Sequence, residues 1–193
     1  NRPRRLRNHS VIRNLIAATS VSIDQLVMTV FLIEGKNIGE PILTMPGLHR
    51  FSLENLLKEL KSYIDFGLSA IILFGIPKTK HPFGKEAYTD DGFLQNGIRE
   101  IKSKFPDLFV IGDVCLCEYT THGHCGVVKS DNVLNDPTLE LLAKAAVSQA
   151  RAGIDMVAPS DMMDGRVRAI RSALDTEKFL NLPILSYSVK YCS

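Results

Sequence analysis

The chain is 193 residues long, enough for one sizeable core and, by length, one domain. Its charge nearly balances, 23 Lys and Arg against 21 Asp and Glu, and 45% of its residues are hydrophobic, the ordinary make-up of a soluble globular protein. No apolar run approaches the ~18 residues that a membrane span needs, and the basic N-terminus lacks the apolar stretch of a secretory signal, so the expectation is a cytoplasmic protein without a membrane partner.

The opening cluster Arg2, Arg4, Arg5 and Arg7 has no interleaved aromatic residues, and the rest of the chain is not basic. A nucleic-acid footprint normally spreads over a domain face, so residues 1–20 read as a solvated or partner-wrapping arm and no nucleic acid is expected. Residues 26–33 (LVMTVFLI) then read as a first strand. Residues 52–66 read as a helix with Ser52 at its N-cap and Gly67 just beyond its end. Within it Leu53, Leu56, Leu57, Leu60 and Ile64 form one apolar stripe. Residues 69–74 are a second strand, 92–105 a second helix before Pro106, and 108–111 a third strand that runs straight into a cysteine-rich loop. Residues 136–152 are a third helix, capped by Asp136, with Pro137 at its first position and Gly153 at its end. A fourth strand at 154–158, a fourth helix at 165–174 and a fifth strand at 183–187 complete the pattern.

Strands alternating with helices, the strands nearly continuous in apolar residues, imply a parallel sheet with helical crossovers. No Gly-x-Gly-x-x-Gly follows the first strand, which weighs against a doubly wound dinucleotide-binding sheet. Polar residues instead gather just after strand ends: Asp113, then Ser160 and Asp161, then Lys190. Site residues drawn from several strand C-termini are the arrangement of a (β/α)8 TIM barrel. A whole barrel takes about 250 residues, so five strands and four helices imply a missing C-terminal portion. The alternative is a smaller open sheet.

The strongest chemical signal is DVCLCEYTTHGHCG, residues 113–126. Four cysteines without a signal peptide read as reduced thiols or a metal site rather than as disulfides. Cys115 and Cys117 would share one face of an extended segment, and Gly123 permits the reversal that brings Cys125 back. Thiolates suit zinc, and three of them leave one tetrahedral position for water or substrate, as catalytic sites do. His122 or His124 would close the shell and make the metal structural, so spacing alone leaves both forms open. Lys190 follows an apolar strand, where burial would lower its pKa and free the amine to attack a carbonyl. The alternative is an exposed lysine. Asp113, Ser160 and Asp161 are candidates for proton transfer and substrate contact, with helix capping the other reading for Asp161 and Asp164.

Several of these segments together resemble the porphobilinogen synthase (5-aminolevulinate dehydratase) family: the cysteine loop, APSDMMDGR (residues 158–166), LSYSVKY (185–191), MPGLHR (45–50) and RPRRLR (2–7). The resemblance spans essentially the whole chain. It implies a (β/α)8 barrel, of which residues 21–193 are a partial domain, an N-terminal arm that wraps a neighbouring subunit, and a homo-octamer. It also implies condensation of two molecules of 5-aminolevulinate to porphobilinogen with loss of two waters, in tetrapyrrole synthesis. Lys190 matches a Schiff-base lysine, and Cys115, Cys117 and Cys125 match the ligands of the zinc-dependent branch. Asp113 matches an active-site carboxylate, and Ser160 with Asp161 line the first substrate pocket. His124 resembles a contact to a second, inessential zinc. The resemblance also leaves room for magnesium at an allosteric site outside this segment. A second lysine and a flexible lid belong to later strands of that family and have no counterpart here, so the free chain is expected to be inactive, with an exposed, aggregation-prone sheet edge. Glu118 and Thr121 depart from the common loop residues. The rival readings are an aldolase-like Schiff-base barrel, which leaves the cysteines unexplained, and a zinc-stabilised binding module, which needs a histidine as fourth ligand.

Overall fold

The computed structural model describes residues 2–191. A 3-10 turn at Pro3–Arg7 and a short helix α1 (Ser10–Leu15) open the chain. Every residue from 2 to 27 is exposed. They include the apolar side chains of Leu15, Ile16 and Val21.

The main sheet follows. Strand β1 (Met28–Ile33) precedes two short strands, β2 (Gly39–Pro41) and β3 (His49–Phe51), which the sequence reading passed over because each is only three residues long. Helix α2 (Leu53–Asp65), β4 (Ala70–Ile76), α3 (Phe93–Lys104) and β5 (Phe109–Val114) come next. A small hairpin, β6 (Val127–Lys129) and β7 (Asn132–Leu134), leads into α4 (Asn135–Ala152), β8 (Met156–Pro159) and α5 (Arg166–Thr176). The sheet order is β2-β3-β1-β4-β5-β8. All neighbours from β3 to β8 are parallel, and only β2 runs against β3.

Strands β1, β4, β5 and β8 lie side by side in chain order, without the reversal that marks a doubly wound sheet. The helices cover one face only. Leu56 and Leu60 of α2, Ile98 and Ile101 of α3, Leu142 and Ala146 of α4, and Ile170 and Leu174 of α5 join one buried cluster with Ile71, Leu73, Val110 and Val157 of the strands. Alternate strand residues face the other way, where Ile72, Ile111 and Ala158 form a small second cluster with Phe74, Met156 and Tyr187. A sequentially ordered parallel sheet with helices on one face and side chains filling the other is an arc of a (β/α)8 barrel.

Several local expectations are corrected. Ser52 stands at the N-cap of α2, but its hydroxyl makes no cap bond there. It accepts instead from the Ile38 amide at 3.0 Å, holding the β2 approach against the helix. Helix α4 starts one residue early, with Leu134 at the N-cap, so Asp136 does not cap and Pro137 is not first. The Thr138 hydroxyl does the local work, donating to Leu134 O and accepting from Val127 N. Strand β5 runs on through Asp113 to Val114 because its pairing with β8 continues to Val114↔Pro159. The expected fifth strand is one isolated bridge, Val157↔Ile184. Residues 183–187 follow β8, with Leu185 N donating to Val157 O and Tyr187 N to Pro159 O, yet no further strand pairs on their outer side among the described residues, so the ladder does not propagate.

At the opposite end of the strands, Lys102 Nζ donates to Leu108 O at 2.9 Å and pairs with Asp155 at 2.8 Å, while Asp155 also accepts from Val110 N. This clasp fixes the starts of β5 and β8 away from the polar mouth. Because Leu73 is fully buried at the centre of β4, Leu73→Ala is expected to lower stability by about 2–5 kcal/mol through a cavity in the helix-facing core. The check is a lower denaturant midpoint at an unchanged transition slope.

Candidate metal centre at the strand C-termini

Side chains 111 and 113 of β5 share the inner face, so the strand that buries Ile111 also aims Asp113 into the barrel mouth. Cys115 follows at the same parity. The chain does not stay extended beyond it. Tyr119 N and Thr120 N both donate to Leu116 O, and this turn, not strand periodicity, folds Cys117 back until its sulfur lies 3.2 Å from Cys115 Sγ. The Thr120 hydroxyl then donates to His124 O, and Gly123 reverses the chain at φ +75° with open space around it. Cys125 thereby returns to the group.

The three sulfurs lie within 4.8 Å of one another. Zinc–sulfur bonds of about 2.3 Å put tetrahedral sulfur ligands about 3.8 Å apart, and that spacing falls within the span of the three thiols. Cys115 and Cys125 are buried, Cys117 partly so. Each thiol of the Cys115–Cys117 pair has its pKa raised, Cys115 by hydrogen bonds to Cys117 and Cys125 and by burial, and Cys117, against a lowering bond from Cys115, by its bond to Cys125 and by burial. A thiophilic cation would displace these protons, so the donor set suits zinc and its uptake is pH-dependent. Neither histidine joins the group. His122 spends one ring nitrogen on Pro82 O and the other on the His124 amide. His124 is exposed, with its ring tilted against that of His122. Among the described residues the metal-competent cluster is therefore three cysteines with an open side. Cys192 lies outside the described residues.

Lys190 occupies that open side. Its Nζ lies 3.1 Å from Cys125 Sγ, 4.0 Å from Cys115 Sγ and 2.6 Å from Ser160 O. Burial acts to lower the Lys190 pKa, while the sulfurs of Cys115, Cys125 and Cys117, when ionised, act to raise it, and in the metal-free site the net shift is upward. Asp113 moves upward as well. Burial pushes its carboxyl well above the usual carboxylate range and the Glu118 charge adds to this, against smaller opposing effects from the Ser160 hydroxyl and Lys190. One Asp113 oxygen has no hydrogen-bond partner.

Ser160 and Asp161 are both buried, at the end of β8 beside this group. Asp161 accepts from Met163 N at 2.7 Å, which shapes the loop. Neither Asp161 nor Asp164 caps α5, whose N-cap is Gly165. Burial raises the Asp161 pKa in spite of the Met163 bond and of Arg166, whose Nε is 3.5 Å away. Sequence reasoning assigned no role to Arg166, which also donates to Tyr187 O at 2.5 Å and so ties the Asp161 loop to the segment bearing Lys190. The five-residue spacing from Asp161 across Gly165 was its available signal. Tyr187 lines the same inner face, its pKa raised by burial and by Asp113.

Comparison with known proteins matches the whole chain, residues 1–193, to the family model described as delta-aminolevulinic acid dehydratase. A relative of that name from Ruminiclostridium josui is 48% identical over 192 residues, covering 100% of this chain and 94% of the relative. Those from Bacillus subtilis (strain 168) and Methanothermus sociabilis are 48% and 50% identical over the full chain, which spans 60% of each. The crystal structure of delta-aminolevulinic acid dehydratase (porphobilinogen synthase) from Toxoplasma gondii ME49, in complex with porphobilinogen, superposes with a TM-score of 0.95 at 42% identity. It covers 100% of this chain and 56% of that one.

Removing one sulfur should dismantle the centre: Cys117→Ala is expected to weaken divalent-metal binding by more than about 100-fold, beyond the loss typical of an outer-shell partner, whereas His122→Ala should leave the bound metal count unchanged. Metal analysis after equilibrium dialysis of both variants decides this.

Proposed function

The chain belongs to the delta-aminolevulinic acid dehydratase family, and on that footing we propose that the protein condenses two molecules of 5-aminolevulinate to porphobilinogen with loss of two waters, as a hydro-lyase of tetrapyrrole synthesis. Because the chain spans 60% of the Bacillus and Methanothermus relatives and 56% of the Toxoplasma chain, the activity is a proposal for the whole protein, to which this segment contributes the residues below. The observation that carries it is the placement of Lys190 Nζ at the open side of the three-cysteine group, against the buried Ser160 carbonyl.

In this reading Lys190 is the nucleophile. Its neutral amine attacks the ketone of one substrate, water leaves, and the protonated imine becomes an electron sink for bond formation at the adjacent carbon. Cys115, Cys117 and Cys125 would hold zinc, the borderline-soft ion suited to thiolate donors, which would supply Lewis-acid polarisation of a substrate oxygen. Asp113 carries a proton at its unpartnered oxygen and relays it to or from the substrate. Ser160 and Asp161 line the first substrate pocket, with Ser160 orienting Lys190 through its carbonyl. His124, exposed beside the loop, is the contact to a second and inessential zinc, and magnesium acts at an allosteric position outside this segment.

The exposed arm supports the assembly part of the proposal. In this reading residues 1–20 serve as the arm and residues 21–193 belong to the partial barrel, and every described residue of the arm is exposed. Leu15, Ile16 and Val21, at 79%, 53% and 74% exposure, carry apolar surface with no cover within the chain. A neighbouring subunit in a homo-octamer would bury it. A cytoplasmic location is part of this proposal; among the described residues no helix is long and apolar enough to cross a membrane.

The experiment is borohydride reduction in the presence of labelled 5-aminolevulinate. Label is expected on the peptide containing Lys190 and absent from it in Lys190→Ala, which should also lose turnover. A Lys190 peptide that stays unlabelled at every substrate concentration, in active protein, removes the nucleophile from this reading.

A further inference from the structure

Gln149 sits near the end of α4 and is 2% exposed. Its Nε2 donates to the backbone carbonyl of Asp113 at 2.7 Å. The bond crosses from the helix layer to the strand through a slot that exists only because residue 112 is glycine. A Cβ there would lie 2.1 Å from Gln149 Oε1 and 3.0 Å from its Cδ. The position of the acceptor matters. The β4–β5 register ends at Leu73↔Gly112, so Asp113 is the first residue of β5 beyond pairing on that side, although it still faces Ala158 on the other. A buried carbonyl at that point needs a donor, and the helix provides one. The other end of the same amide, Oε1, is buried without a partner. Burying an unsatisfied acceptor is costly, and a residue kept only for packing would serve better as methionine or leucine.

We propose that Gln149 is a positioning residue: it holds the C-terminal end of β5, and with it the Asp113 carboxyl and the Cys115 thiol two residues further on, in the geometry that meets Lys190. The inference deepens the catalytic reading of Asp113 and Lys190 and rests on it. Gly112 is the other half of the device, since its missing side chain is the passage for the amide.

The test compares Gln149→Met, similar in length but without a donor, with Gly112→Ala, which closes the slot from the strand side. Both are expected to stay folded with a lowered unfolding midpoint and to keep a KM within about twofold, while kcat, measured well below that midpoint, falls by about 10–100-fold, the range for loss of an outer-shell partner, and metal is released to a chelator correspondingly faster. Gly112→Ala combined with Gln149→Ala should lose less than the two single changes multiplied together, because one slot serves both. Folded Gln149→Met with wild-type kcat and wild-type metal release overturns the proposal, as does strict additivity in that pair. If Gln149→Met does not fold, Gln149→Leu, which keeps an apolar side chain of similar volume without a donor, is measured in the same way. In wild-type protein, a Gln149 side-chain amide that exchanges with solvent as fast as an exposed one overturns the hydrogen bond itself. Failure of borohydride labelling at Lys190 in the wild type would strike the catalytic reading alone, because chelator release still reports on the placement of Cys115.

Discussion

The contact between Lys190 and the cysteine loop is the constraint on which the rest of the site depends. Its Nζ bridges Cys125 Sγ at 3.1 Å and the Ser160 carbonyl at 2.6 Å, joining three stretches that are far apart in sequence. Each is delivered by a parallel strand or by the segment that follows one. The meeting point is set by the register Asp113↔Ala158 and Val114↔Pro159 and by the amide of Tyr187 on Pro159 O. A shift of one residue in that register would turn Asp113 toward the helices and Val114 into the mouth.

Burial then sets the electrostatics. The mouth brings Lys190, and Arg166 behind Asp161, together with several buried acidic groups. Burial raises Asp113, and Cys115 and Cys117 rise with it, each in the direction that keeps an acidic group neutral in a low-dielectric space. At Lys190 burial and the neighbouring sulfurs act in opposite directions.

The one-sided architecture explains why such a polar cluster is tolerated. The helix-facing side of the sheet carries the large apolar core, from Leu56 and Leu60 through Ile98 and Leu142 to Leu174. The inner face contributes only Ile72, Ile111 and Ala158 to a buried apolar cluster. Stability is thus invested on one face and at the Lys102–Asp155 clasp, which leaves the strand C-termini to chemistry, the division of labour that barrels show between their two ends.

The amino-acid sequence alone determined the alternation of strands and helices, the apolar stripe of α2, the three thiols and the placing of Ser160 just after a strand, whereas Asp113 lies within β5 and the segment before Lys190 makes only an isolated bridge. Those features follow from local periodicity and residue chemistry. It also carried the family, through runs such as APSDMMDGR that are contiguous. Tertiary structure decided what depends on partners distant in the chain. Cys117 meets Cys115 through a turn closed on Leu116 O, not through strand parity. His122 is taken by Pro82, forty residues away, which leaves the metal group open. Lys190 Nζ meets sulfurs 65 and 75 residues upstream, and no local pattern can encode such neighbours. Gln149 shows the same limit most simply: in the sequence it is one polar residue in a helix, and only packing against Gly112 reveals the carbonyl it holds.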